Sequence, residues 1–186
     1  MSADKDGHLW CSNPNKGVTE YDPKTGKCVY YTETSPIKIR SNTPKSIFCD
    51  SKGLVWVSCW AFGSTVIDKK NNVSYDLSNT AEHRFKDIKD AFLVSQFYED
   101  KKGNILFATA EHGLGKFDVL DSKSTLFESN KDDPETISDN TTFSIFQDRS
   151  GLIWVGTWKG GSNVMDPRVL NFGYYKHESN KTNTLI

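Results

Sequence analysis

The apolar residues of this chain fall in short runs, and within several runs both alternating sets are apolar. In Leu54-Val55-Trp56-Val57-Ser58-Cys59-Trp60, an extended backbone puts Val55, Val57 and Cys59 on one side and Trp56, Ser58 and Trp60 on the other. A sheet with one wet face alternates apolar and polar positions. This pattern instead predicts a strand covered on both faces. Short apolar segments at 46–49, 96–99 and 144–147 each run into an Asp-x-x-Gly turn, and apolar segments at 54–57 and 152–155 follow two of those turns. Glycine at a position that favours positive φ, between two such segments, predicts a hairpin. A further segment follows a second glycine, as at 64–67 and 162–165. A last one carries aromatics: Tyr30 and Tyr31, Tyr75, Phe127, Phe172 and Tyr174.

These segments belong to one repeat. Asp-x-x-Gly starts at Asp4, Asp50, Asp100 and Asp148. The glycine ten residues beyond each turn glycine is Gly17, Gly63, Gly113 or Gly161, and five further on stand Asp22, Asp68, Asp118 and Asp166. The pattern D-x2-G-x9-G-x4-D therefore occurs four times without a gap. Successive turn glycines lie 46, 50 and 48 residues apart, between the ~40–45 of WD40 blades and the ~50 of kelch blades. Four strands per repeat, here a to d, make a propeller blade. On the second face of strand b a large residue precedes a small one: Trp10 and Ser12, Trp56 and Ser58, Trp154 and Gly156, with Leu106 and Ala108 keeping the order at less bulk.

The expected fold is all-β, a partial β-propeller of about four four-stranded antiparallel blades. The blades are placed at 1–31, 45–76, 92–128 and 142–175, with 176–186 a connection toward a further blade. The first blade starts at its a–b turn and is expected to lack its inner strand, so the chain reads as a piece of a larger ring. Open blade faces and unpaired edges favour pairing with other chains, and self-association through them is expected.

Charge narrows the functions. The 186 residues carry 23 Lys+Arg against 24 Asp+Glu, a formal charge of -1. That balance gives nucleic acid and anionic membranes no electrostatic hold. No apolar run approaches the ~18 residues of a membrane span, and residues 1–10 are too polar for a signal peptide. Cys11, Cys28, Cys49 and Cys59 match no paired zinc spacing. Cys49 and Cys59 fall at opposite ends of one hairpin, about five residues of ~3.3 Å apart, and a strand separates Cys11 from Cys28. Both separations exceed the ~7 Å disulfide limit, so free, buried thiols are expected. His8, His83, His112 and His177 share no ligand spacing, and neither a metal nor a cofactor is expected.

The repeat resembles that of the two-component regulator propeller family, whose pattern is roughly E-D-x-x-G-x-I-W-I-G-T followed by G-G-L-x-x-Y-D-P. Gln147-Asp148-Arg149-Ser150-Gly151-Leu152-Ile153-Trp154-Val155-Gly156-Thr157 supplies nearly all of the first half, and Gly160-Gly161-Ser162-Asn163-Val164-Met165-Asp166-Pro167 most of the second. Asp50 to Ser58, Glu99 to Gly103 and Gly17 to Pro23 match more loosely. The resemblance implies an extracytoplasmic or periplasmic sensor region of a bacterial hybrid two-component system, often one that senses oligosaccharides and switches on genes for polysaccharide use. A histidine kinase would lie outside this chain, which is itself expected to be non-enzymatic.

In a propeller the b–c and d–a connections share one face, where ligands usually bind. The b–c loops here hold Trp60 and Phe62, Glu111 and His112, and Trp158 and Lys159. Rings beside charged groups suit an oligosaccharide, whose C–H faces stack on indole while its hydroxyls take planar polar partners. These six are the candidate ligand-binding residues. Trp60 and Trp158 share the parity of Trp56 and Trp154, so packing at the blade edge is the competing role, and Glu111-His112 reads more simply as a solvated loop pair. The recurrent aspartates read as turn residues, because catalysis would need a residue in one blade and not in all. The alternative function is a protein-interaction scaffold.

Overall fold

Each repeat folds into its own four-stranded antiparallel sheet, with strands in sequence order. The first contains β1 (Ser2–Ala3), β2 (Leu9–Asn13), β3 (Gly17–Tyr21) and β4 (Cys28–Tyr31). The second contains β5 (Pro44–Cys49), β6 (Leu54–Cys59), β7 (Gly63–Asp68) and β8 (Val73–Asp76). The third contains β9 (Val94–Glu99), β10 (Ile105–Thr109), β11 (Leu114–Asp118) and β12 (Lys123–Phe127). The fourth contains β13 (Thr142–Gln147), β14 (Ile153–Thr157), β15 (Ser162–Met165) and β16 (Phe172–Tyr175). This computed structural model describes residues 1–60, 62–77, 85 and 93–175, with Tyr174 described by its backbone alone. The predicted connection at 176–186, including His177, lies outside the described residues, as does His83. Among the described residues no helix is long and apolar enough to cross a membrane.

The four sheets are blades of a partial β-propeller. The a strands are innermost: β5 packs against β9, and β9 against β13. One expectation needs correction. The first blade does not lack its inner strand, because β1 pairs antiparallel with β2, Ser2 facing Trp10 and Ala3 facing Leu9. Two residues are too few to show an alternation, so that strand left no mark in the apolar pattern.

Three apolar clusters join the four blades, one at each junction. Val55, Val57, Cys59 and Ile67 of the second blade meet Trp10 and Val18 of the first. Leu54, Trp56 and Val66 leave the opposite side of the second blade to meet Phe97, Ile105 and Phe107 of the third. Leu106, Ala108 and Leu114 then meet Ile145, Ile153 and Val155 of the fourth. Strand b is thus covered on both faces in the middle blades, and burying apolar area this way is the main stabilising term. At the second junction the Trp56 indole lies 5.3 Å from the Phe85 ring, nearly perpendicular to it, and 5.7 Å from that of Phe97.

The turns follow from the recurring glycines. Gly7, Gly53, Gly103 and Gly151 have φ between 82° and 95°, where a side chain is strained. Gly17 and Gly113 have a second reason: a Cβ there would collide with the carbonyl oxygens of Tyr31 and Phe127 on strand d. All four cysteines are free, with Cys49 paired to Val55 and Cys59 to Pro44 at opposite ends of the hairpin. Only Cys59 is buried, however. Cys28 is exposed on the edge strand, while Cys11 and Cys49 are half-buried, so the expectation of buried thiols is corrected for three of the four. Burial pushes the Cys49 and Cys59 thiols up to about 11.

Candidate functional site

The blades present two different ends. At one end lie the a–b and c–d turns, where the recurring aspartates sit. Asp4 Oδ1 accepts the backbone N–H of Asp6 at 3.0 Å, Asp50 Oδ1 that of Lys52 at 3.0 Å, and Asp100 Oδ1 that of Lys102 at 2.8 Å. In the fourth blade Asp148 Oδ1 accepts from Leu152 N–H at 3.0 Å and Ser150 Oγ at 2.6 Å. These are the predicted turn bonds. The second carboxylate oxygen does something the turn reading missed. It accepts the indole N–H six residues on: Trp10 to Asp4, Trp56 to Asp50 and Trp154 to Asp148, each at 2.9 Å. In the third blade Leu106 replaces the tryptophan, and Asn104 Nδ2 donates to Asp100 Oδ2 at 3.0 Å instead. The aspartate therefore supplies the polar partner that lets an indole be buried between blades.

These bonds act against burial in different degrees. For Asp50, burial dominates and holds its carboxyl above the usual value despite the Trp56 and Leu54 bonds. For half-buried Asp148, the donors Ser150 and Trp154 bring it down to about 2.

One ionisable cluster at this end departs from the repeat. Buried Glu20 accepts from Tyr31 Oη at 2.8 Å, faces His8 Nδ1 at 2.6 Å, and pairs with the Lys69 ammonium of the second blade. The corresponding positions in the fourth blade are Leu152 for His8, Val164 for Glu20 and Pro167 for Lys69. Burial, followed by the Glu20 carboxylate, pushes the Tyr31 phenol above its ordinary range. Asp4, His8 and Glu20 offer three ligand atoms within 4.8 Å of one another, a grouping the histidine spacing did not reveal. The Lys69 ammonium already neutralises Glu20 there, which makes the cluster an ion-paired joint between the first two blades.

At the opposite end are the b–c loops with the six candidate residues. The loops are held from behind in the same way in two blades. Trp60 N–H donates to Thr43 O at 3.0 Å and Trp158 N–H to Thr141 O at 2.9 Å. The rings themselves point outward: Trp60 is 58% exposed, Trp158 67% and Phe62 51%. Neither ring is buried between blades, although Lys45 and Phe143 lie against them at the edges of their own blades. β6 ends at Cys59 and β14 at Thr157, so the chain has left the strand before either tryptophan and strand parity no longer applies.

Three of the candidates engage a side chain of their own blade. Lys45 Nζ lies 4.6 Å over the Trp60 ring, and burial lowers the affinity of that ammonium for its proton. The Phe143 ring lies 5.6 Å from that of Trp158 at 59°. His112 Nδ1 faces Glu128 Oε1 at 3.3 Å across an exposed pair, and Glu111 is exposed.

Lys159 opens onto a cleft of about 330 Å³ with Asn130, Lys131, Asp133, Thr136 and Ser138. A matching cleft of about 340 Å³ lies two junctions earlier, lined by Glu33, Lys38, Arg40, Thr65 and Asp76. Both form where a d–a connection is strapped to the blade beneath it. Arg40 N–H donates to Thr65 Oγ1 at 3.1 Å and its Nε to Phe62 O at 2.9 Å. Ser138 N–H donates to Asn163 Oδ1 at 2.9 Å and its Oγ to Gly160 O at 3.0 Å. Arg40 and Ser138 stand at equivalent positions, 98 residues apart. Sequence reasoning placed d–a connections on this face but named no residue in them. The equal offset from the repeat was the available signal.

Residues 136–159 match the family model described as two component regulator propeller. That stretch runs from the d–a connection through the b–c loop of the fourth blade and carries Trp158 and Lys159. No curated protein matches the chain. Among solved structures it is similar to the extracellular domain of a putative one component system from B. thetaiotaomicron, at 21% identity and TM-score 0.68, covering 96% of this chain and 24% of that one. It is also similar to the extracellular domain of a putative hybrid two component system from the same organism, at 17% identity and TM-score 0.68, covering 95% and 23%. Virginiamycin B lyase from Staphylococcus aureus aligns at 16% identity and TM-score 0.64, covering 96% and 55%. The chain spans about a quarter of the length of the first two. At these identities the likeness is one of fold.

Proposed function

We propose that this chain is a ligand-sensing part of a two-component system sensor, placed outside the cytoplasm, that recognises an oligosaccharide at its b–c face without catalysis. The observation that carries the reading is the set of uncovered rings at that face. Trp60, Phe62 and Trp158 are each more than half exposed, while Trp10 and Trp56 of the same chain are fully buried. Exposed aromatics next to clefts lined by Arg40, Asp76, Lys159 and Asp133 combine stacking surface with groups that bond hydroxyls. The propeller-family match across Trp158 and Lys159 supports the sensor assignment, as does the fold likeness to extracellular domains of bacterial signalling systems. In the intact protein the output is control of polysaccharide-use genes, through signalling parts outside this chain.

Calorimetric titration of the chain with a panel of plant, host and microbial oligosaccharides tests this. Binding to one class is expected, with Trp60→Ala or Trp158→Ala weakening it on the order of tenfold, or ~1.4 kcal/mol. If no saccharide binds while a defined protein partner co-purifies in stoichiometric amount, the chain is the non-enzymatic interaction scaffold instead.

A further inference from the structure

The inner strands of the second, third and fourth blades share one irregularity. In the second blade Pro44 pairs with Cys59 and Ser46 with Ser58, which leaves Lys45 as an extra residue. In the third blade Ser95 is extra between Val94 and Gln96, and in the fourth Phe143 is extra between Thr142 and Ser144. Each stands five residues before the turn aspartate, at the loop end of its strand. A bulge re-aims the extra side chain, and bulges gather beside functional sites. Here the backbone device recurs while the residue it presents changes from Lys to Ser to Phe.

The bulge residue meets the loop residue ten positions after the aspartate. In the second blade that pair is Lys45 and Trp60, with Lys45 Nζ 4.6 Å over the indole. In the fourth it is Phe143 and Trp158, their rings 5.6 Å apart. The third blade has Ser95 and Ala110 at those places, so two small residues separate two pairs of large ones. Lys45 sets the first pair apart. It is half-buried and donates to Ser95 Oγ at 3.3 Å across the junction, and no carboxylate among the described residues pairs with it. Burial weakens this ammonium's hold on its proton, a cost that an anion beside it would offset. The second blade is packed between the first and the third, and its Trp60 ring is still 58% exposed.

We propose that the corner formed by Lys45, Trp60 and Ser95 is a subsite for a negatively charged sugar unit, and that the oligosaccharide this face takes is an acidic one. The sugar ring stacks on the uncovered part of the Trp60 indole. Its carboxylate or sulfate accepts a charge-assisted hydrogen bond from the Lys45 ammonium, with the Ser95 hydroxyl as a second donor. The neighbouring units run over Ser95 and Ala110 toward Trp158. This rests on the reading of the loop end as an oligosaccharide site and narrows it to a charge class.

Calorimetric titration of the whole chain with matched tetrasaccharides tests it. The probes are a galacturonic acid tetramer, its methyl ester, a sulfated galactose tetramer and an unsulfated one. At least one acidic tetramer is expected to bind more tightly than its neutral counterpart, and which one does so separates carboxylate from sulfate. Lys45→Met keeps the length of the side chain and its contact with Trp60, and circular dichroism checks that it folds. It is expected to weaken the acidic tetramer about tenfold, as for one lost hydrogen bond to a charged group, and to leave the neutral one unchanged. Lys52→Met removes the same charge from an exposed turn residue at the other end of the blade and is expected to bind as the wild type does. Neutral tetramers that bind as tightly as acidic ones, a Lys45→Met variant that binds the acidic tetramer normally, or an equal loss in Lys52→Met would each overturn the acidic subsite and leave the oligosaccharide site standing. Binding of no saccharide at all would overturn both.

Discussion

At the turn end of the blades a recurring residue makes a recurring bond. Four aspartates hold four turns, and three of them hold a tryptophan by its indole N–H at the same 2.9 Å. At the loop end only the backbone-turning glycine recurs in all four blades, and the large side chains Trp60, Phe62 and Trp158 there stand in solvent. Repetition thus marks what every blade needs in order to stack, and its absence marks where one blade can differ from the next without weakening the stack. The Glu20 cluster sharpens the rule. It lies at the turn end and is unrepeated, yet its groups are paired with one another, so being unrepeated indicates a candidate function only where the side chains are also uncovered.

The largest expected break in this comparison is at Trp56. Truncating it to alanine empties the space between Phe85, Phe97 and Phe117 and is expected to cost ~3–5 kcal/mol of unfolding free energy by urea titration. Trp154→Ala removes the same residue from the same position, but from a half-buried face that no described blade covers, and is expected to cost less than half as much. Equal losses would mean that the stack contributes little to holding these tryptophans.

The aspartates come next. Asp50→Ala strips the turn and leaves the Trp56 N–H buried without an acceptor, at a cost of ~2 kcal/mol. The pH dependence separates two aspartates that look identical in sequence. The Asp148 carboxyl is held down to about 2 by Ser150 and Trp154. Its ionised form therefore stabilises the fold above the ordinary value of 3.8, and that contribution is lost as pH falls toward 2. The Asp50 carboxyl is raised by burial, so its contribution is present below 3.8 and declines as pH rises through its folded value. Asp148→Asn is expected to flatten the acid limb of a stability profile between about pH 4 and 2, and Asp50→Asn to leave that limb in place.

Ser58 tests how closely the second face is fitted. Its Oγ is buried and has no hydrogen-bond partner among the described residues, and the third blade has Ala108 at the same position. Ser58→Ala is expected to stabilise the chain by ~1 kcal/mol, the desolvation cost of an unmade bond. A loss of stability in urea titration would show that the hydroxyl is satisfied in solution.

Much of the fold was legible because the repeat states it four times. The turn glycines, the four sheets and the doubly covered strand b all follow from positions that recur. What recurs less exactly was harder to read. The indole bond has a fixed spacing of six in three blades, but Leu106 breaks it in the third, where Asn104 takes over from a different spacing. The Glu20 joint needs His8 and Lys69 from different strands of different blades, so no local pattern connects them. On the candidate face the exposed loop residues were found because rings are conspicuous between polar neighbours. Arg40 and Ser138 were not, because they bond backbone carbonyls, and a carbonyl leaves no trace in the sequence.

The smallest expected effect on stability is at Trp158. Its ring is two-thirds exposed, and its aromatic neighbour among the described residues, Phe143, is itself 42% exposed. The backbone N–H that anchors the loop to Thr141 O does not depend on the side chain. Trp158→Ala should therefore change unfolding free energy by no more than ~0.5 kcal/mol, the usual range for a surface substitution. Such indifference matters because a large apolar ring exposed at a loop tip contributes little to folding. If the same variant that leaves urea unfolding unchanged also loses oligosaccharide binding, the ring serves the ligand. If it destabilises the chain as Trp56→Ala does, Trp158 belongs to the stack, and the distinction between the two ends fails at the residue where it is most easily measured.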